Sequence, residues 1–145
     1  MKNPQTLAEA LYQRFHDAKL KSIKDYACCA FTLMWCLGIE PDDVDAVMTV
    51  ADMIDNKVLD SDCTVYWSTA TKYLTGRTCT VDYVAISSIK GIKERTPVKY
   101  SYNGKSHWVG VENGRIKFNS LKESVCVSKG KPVTKRVLTL SGGNK

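Results

Sequence analysis

The chain has 145 residues, 43% hydrophobic and 25% charged, which is the composition of one ordinary soluble domain with enough length for its own core. A net charge of +6 permits an anionic partner such as nucleic acid or a wall polymer but compels none. No apolar run approaches the roughly 18–20 residues that cross a membrane.

The N-terminus, MKNPQTLAEALYQRFHDAK, is amphipathic rather than continuously apolar, so no signal peptide is read. A cytoplasmic setting is expected, with lysis or a phage particle as routes of release. Thr6 and Glu9 fit a capping box, and Leu7, Leu11 and Phe15 follow at helical spacing, with His16 beside them as an exposed or half-buried helix residue. Lys19, Lys21, Ser22 and Lys24 read as a basic polar connector.

The next stretch, Asp25 to Gly38, organises the rest. Ala30, Phe31, Leu33, Met34, Trp35 and Leu37 leave almost no polar face, and a helix apolar all round belongs at the centre of a domain. Gly38 supplies its stop. The following run, IEPDDVDAVMTVADMIDN, predicts a helix with Pro41 in its first turn and Val44, Val47, Ala51 and Ile54 inward. Asp42, Asp43 and Asp45 suit the positive end of its dipole and read as solvated rather than metal-binding.

Residues 57–63 make a link, and Thr64 to Leu74 predicts a helix with Val65, Ala70, Tyr73 and Leu74 inward and Gly76 at its end. Trp67 is read as core rather than groove wall. From Arg77 the period falls to two: Cys79, Val81 and Tyr83 mark a strand. Ile86, Ile89 and Ile92 suggest a helical turn. Pro97 to Tyr102, Ser106 to Val111 and Arg115 to Asn119 read as strands joined by tight turns at Asn103-Gly104 and Asn113-Gly114. Val125 to Val127 and Val133 to Leu140 complete the strands, and 141–145 reads as a flexible tail. The expected architecture is α+β in a single domain over 1–140, helices first and an antiparallel sheet after.

Six cysteines, at 28, 29, 36, 63, 79 and 126, form no C-x-x-C pair, and one useful histidine is too few for zinc; free thiols, no metal and no cofactor are expected. Cys28 and Cys29 fall in the first turn of the central helix, where unpaired N–H groups and the dipole favour a thiolate. His107 is the only histidine of the second half. The hairpin about Asn113-Gly114 brings position 119 back beside position 107, so Asn119 can hold one imidazole nitrogen while the other faces a thiol.

The order Cys, His, Asn on a helix and then a sheet resembles the papain-like cysteine peptidase superfamily. Cys28-Cys29-Ala30-Phe31-Thr32 resembles its cysteine-helix motif. Leu37-Gly38-Ile39 and His107-Trp108-Val109 resemble the bacteriocin-processing double-glycine peptidases, although the helix here is three residues shorter. The histidine strand, the Asn-Gly turn and a polar residue twelve positions on resemble the NlpC-type wall endopeptidases. Tyr26-Ala27-Cys28 and Cys63-Thr64-Val65 are similar to motifs of small uncharacterised spirochaete and prophage-associated proteins.

The resemblance implies a papain-like fold, with Cys28 as nucleophile (Cys29 the alternative), His107 as base and Asn119 as its orienter. It also implies Tyr26 as an oxyanion donor of the NlpC kind. The superfamily's glutamine before the cysteine has no counterpart. The implied activity is hydrolysis of a peptide or peptidoglycan stem-peptide amide through an acyl-enzyme. The alternative is an inactive papain-like binding module of phage or mobile-element origin. A nucleic-acid partner is not expected: Lys122, Lys129, Lys131, Lys135 and Arg136 have no interleaved aromatic platform. The sequence sets no oligomeric state.

Overall fold

The computed structural model describes residues 1–142. Five helices come first: α1 (Pro4–Phe15), α2 (Ala18–Tyr26), α3 (Cys28–Cys36), α4 (Asp43–Asp55) and α5 (Trp67–Thr75). They are followed by β1 (Cys79–Ala85), β2 (Thr96–Tyr102), β3 (Lys105–Glu112), β4 (Arg115–Phe118), the short α6 (Val125–Lys129) and β5 (Lys131–Leu140). The strands make one sheet of order β1-β5-β2-β3-β4 in which every neighbouring pair is antiparallel. The class is therefore α+β, and among the described residues no helix is long and apolar enough to cross a membrane.

Helix α3 is central because it has no side that water could face. Ala30, Phe31, Thr32, Leu33, Met34 and Trp35 are all buried. They join α1, α2, α4 and α5 in a core that also takes in Phe118 and packs against Trp108. The opposite face of the sheet has a smaller core of Ile92, Val98, Tyr100, Val109, Val111 and Cys126, and Ile86, Ile89 and Val127 lie against it. Side chains along a strand alternate between faces. Trp108 and Gly110 of β3 thus turn to the helices, while His107 shares a side with Val109 and Val111.

Gly110 is what lets α3 come close. A Cβ at that position would lie 2.3 Å from the Trp35 ring, far inside any real contact. The ring itself is held on both sides: Phe118 stacks on it at 6.0 Å between centroids, and the Arg95 guanidinium lies 4.2 Å from its centre. Arg95 also donates to the Trp35 carbonyl at 2.8 Å and to Glu40 at 2.9 Å, latching the end of α3 to the approach to β2. The β3–β4 turn has Asn113 and Gly114 at φ 53° and 73°, the two positive values that a type I′ hairpin requires.

Several expectations fail for identifiable reasons. The capping box at Thr6 does not form: α1 begins at Pro4 after Asn3, and Thr6 Oγ1 instead accepts the Lys122 N–H. Phe15, expected inward, is exposed, and the buried residues of α1 are Pro4, Gln5 and Ala8. The lysine-rich connector is α2, capped by Asp17, with Ile23 buried beneath its charges. In α4 the inner stripe is Ala46, Val47, Val50 and Met53, and Val44 faces water. Tyr73 is likewise exposed on α5, whose N-terminal residues Thr64 and Val65 are not helical; Val65 bridges to Leu59. The helical turn expected over Ile86–Ile92 is an irregular segment, and the strand expected over Val125–Val127 is α6. Of the expected tail, Ser141 donates to the Thr78 carbonyl and accepts from Arg77, while 143–145 lie outside the described residues.

Candidate active site

Cys28 opens α3 and Cys29 follows it, as the sequence predicts. Their surroundings differ. The backbone N–H groups of Trp108, Cys29 and Cys28 itself lie near enough to the Cys28 sulfur to favour its charged form. The Trp108 carbonyl accepts from Thr32 Oγ1 at 3.3 Å, one turn along the same helix. This bond docks α3 on β3 at Trp108. Cys29 has no such donors, and its sulfur packs into the main core.

Burial pushes the Cys28 thiol above its ordinary range, and the three N–H groups offset only part of that push. Burial also pushes Cys29 well up, with Cys28 adding to it and Arg136 opposing it. The expectation of an easily ionised thiol at the helix tip is therefore corrected. Desolvation outweighs the dipole here, because the sulfur is covered by the strand it docks on.

His107 is buried, at 4% exposure, and its Nε2 lies 2.7 Å from Asn119 Oδ1. The same oxygen accepts the Leu121 backbone N–H at 3.0 Å. A backbone N–H can only donate, so the atom facing it must be the amide oxygen. His107 Nε2 must then carry a proton, and in the neutral ring Nδ1 is left as the acceptor. Burial holds the His107 pKa below its usual value, with the Asn119 contact raising it in part. The ring rests neutral, its free lone pair on the nitrogen nearer its own backbone.

Asn119 is held in turn by the start of the chain. Asn3 Nδ2 donates to the Asn119 carbonyl at 2.9 Å, and the Gln5 N–H donates to the Ser120 carbonyl at 2.9 Å. Buried Gln5 accepts from Ser120 Oγ at 2.7 Å and donates from Nε2 to the Lys24 carbonyl at 2.7 Å. The free N–H groups at the tip of α1 are spent on this loop, which ties Asn119 to the end of α2. No pattern in the sequence points to Gln5 or Ser120.

Comparison with protein-family models, with curated proteins and with solved structures finds no match.

Cys28 and Cys29 line a cavity of about 370 Å³ with Tyr26, Cys63, Trp67 and Trp108. Trp67, expected as core, is both: it is buried, it meets Trp108 edge-on at 5.2 Å, and it walls this cavity. Tyr26 is exposed at the rim. Ser106 and Trp108, either side of His107, are on the wall, with the imidazole behind them. Asp25, also on the wall, is paired with Lys21 and Lys24, which hold its carboxyl below the usual range against the opposing effect of burial. The structure thus brings His107 to Asn119 and Cys28 to the cavity wall beside Trp108, but the expected facing of imidazole and thiol is corrected: the His107 ring is on the sheet face of Val109 and Val111, away from α3, and does not line the cavity. Arg136 does not join a free basic face: its guanidinium lies 3.9 Å from the centre of Tyr83 and 4.9 Å from that of Trp108. All six cysteines are free thiols.

Proposed function

We propose that the protein is a cysteine hydrolase of papain-like architecture, cleaving a peptide or peptidoglycan stem-peptide amide bond. One observation carries the reading. The Asn119 contact, fixed by Leu121, leaves His107 Nδ1 as the open nitrogen, and Cys28 lines one cavity with Ser106 and Trp108, the residues either side of His107.

With the thiol raised and the imidazole lowered by burial, the resting pair is uncharged. His107 then acts as general base during attack rather than as the partner of a preformed thiolate. The Cys28 sulfur bonds to the substrate carbonyl carbon as Nδ1 takes its proton. The carbonyl oxygen gains the charge, with Tyr26 on the cavity wall as its donor. Collapse breaks the C–N bond, and the amine leaves with the Nδ1 proton. Water, deprotonated by the same nitrogen, releases the acid from the thioester and restores the thiol.

The burial of His107 and the upward push on Cys28 also favour a second reading, a binding module of the same architecture without turnover. Hydrolysis of a mixed peptide and muropeptide panel separates the two. The hydrolase reading expects product from the wild type and from Cys29→Ser, and none from Cys28→Ser. His107→Ala is expected to lose roughly 10²–10⁴-fold, the usual worth of a general base. Binding of the panel without product, unchanged in Cys28→Ser, establishes the module instead.

A further inference from the structure

Cys63 has no part in the reaction above, yet it lines the same cavity as Cys28. Its backbone is unusual. It sits at φ 62°, a left-handed value that Gly or Asn normally takes and that a cysteine adopts at a cost. Its N–H closes a tight turn onto the Asp60 carbonyl at 2.8 Å, and the residue is 2% exposed. The turn thus holds a thiol inward at the wall of the cavity that contains the candidate nucleophile. Burial pushes Cys63 up to about 12, with Asp62 and Cys28 adding to it. Cys29 is a poor partner for Cys28, because neighbours on a helix project in different directions.

We propose that Cys28 and Cys63 form a redox-modification site, in which a peroxide converts the active thiol to a reversible disulfide with Cys63. This regulation rests on Cys28 being the reactive thiol of the proposed hydrolase. The Cys28 thiolate attacks one peroxide oxygen, the O–O bond breaks, and hydroxide leaves to become water, giving Cys28 sulfenic acid. The Cys63 sulfur then attacks the Cys28 sulfur. The S–O bond breaks, and the departing hydroxide takes the Cys63 proton as a second water. Two thiols are oxidised, and one peroxide is reduced to two waters.

The test treats the reduced full-length protein with hydrogen peroxide and maps it by non-reducing peptide mass spectrometry. The wild type is expected to lose two hydrogens, to yield a Cys28–Cys63 linked peptide, and to regain Cys28 alkylation fully with dithiothreitol. Cys63→Ser is expected to alkylate at Cys28 like the wild type when reduced, but to advance under peroxide to sulfinic acid that dithiothreitol does not reverse. Irreversible oxidation of Cys28 in the wild type at the rate seen in Cys63→Ser overturns the proposal, as does a linkage that excludes Cys63. Fast Cys28 alkylation without the linked peptide removes this site and leaves the hydrolase reading standing. The linked peptide in a protein without hydrolase activity does the reverse.

Discussion

Asn119 Oδ1 accepts a hydrogen bond from His107 Nε2 at 2.7 Å while the Leu121 backbone N–H fixes which amide atom faces the ring. The pair sets the imidazole tautomer, so its loss reaches chemistry and stability together. Asn119→Ala leaves a buried N–H without an acceptor, and a cost of about 1–3 kcal/mol is expected in urea melts. Alkylation of Cys28 is expected to slow in the same variant, because the ring is no longer held with Nδ1 open. An unchanged melt and unchanged alkylation contradict the pairing.

The pH dependence follows from burial, which holds His107 below its ordinary 6.5, the Asn119 contact opposing in part. As pH falls past 6.5 the unfolded chain takes up this proton before the folded one does. The stability contribution is therefore complete above 6.5 and is lost as pH drops toward the folded-state value. Wild type is expected to lose stability relative to His107→Gln across that window, with a slope of at most about 1.4 kcal/mol per pH unit for one proton. Parallel curves for the two proteins refute the assignment.

Gly110 faces the Trp35 ring with no room for a methyl group. Gly110→Ala is expected to cost about 1–3 kcal/mol through overpacking and to lower the melting temperature. Combining it with Trp35→Leu is expected to cost less than the sum of the two single changes, since the smaller side chain makes the space. Additive losses speak against this contact.

Gln5 and Ser120 share a buried hydrogen bond at 2.7 Å and between them tie the Asn119 loop to α2. Removing either leaves the other unsatisfied, at about 1–3 kcal/mol. The double variant Gln5→Ala, Ser120→Ala is expected to lose less than the two single losses combined. Full additivity in a thermal-melt cycle excludes the coupling.

Much of this was legible because local chemistry and tertiary structure agree. The nearly all-apolar Ala30–Trp35 run could only be central, and Asn113-Gly114 could only be a tight hairpin, which folds position 119 back beside 107. Where the two disagree, the local reading loses. Thr6 leaves its capping box because Lys122, distant in sequence, presents a better use for its hydroxyl. Val125–Val127 has strand residues but is helical, with Cys126 turned into the second core. Ile23 is one apolar residue among lysines, too little pattern to announce α2. The ionisation of Cys28 was misread for a related reason. A helix tip is visible in sequence, but the strand that covers it and strips its water is not.

The most direct measurement is site-resolved alkylation by iodoacetamide at neutral pH, comparing wild type with His107→Ala and Cys29→Ser. Cys28 is expected to react fastest of the six thiols, to slow by at least about tenfold in His107→Ala, and to be unaffected in Cys29→Ser. Reaction at Cys28 no faster than at buried Cys126, or a rate indifferent to His107, would contradict a working pair between the tip of α3 and the edge of β3.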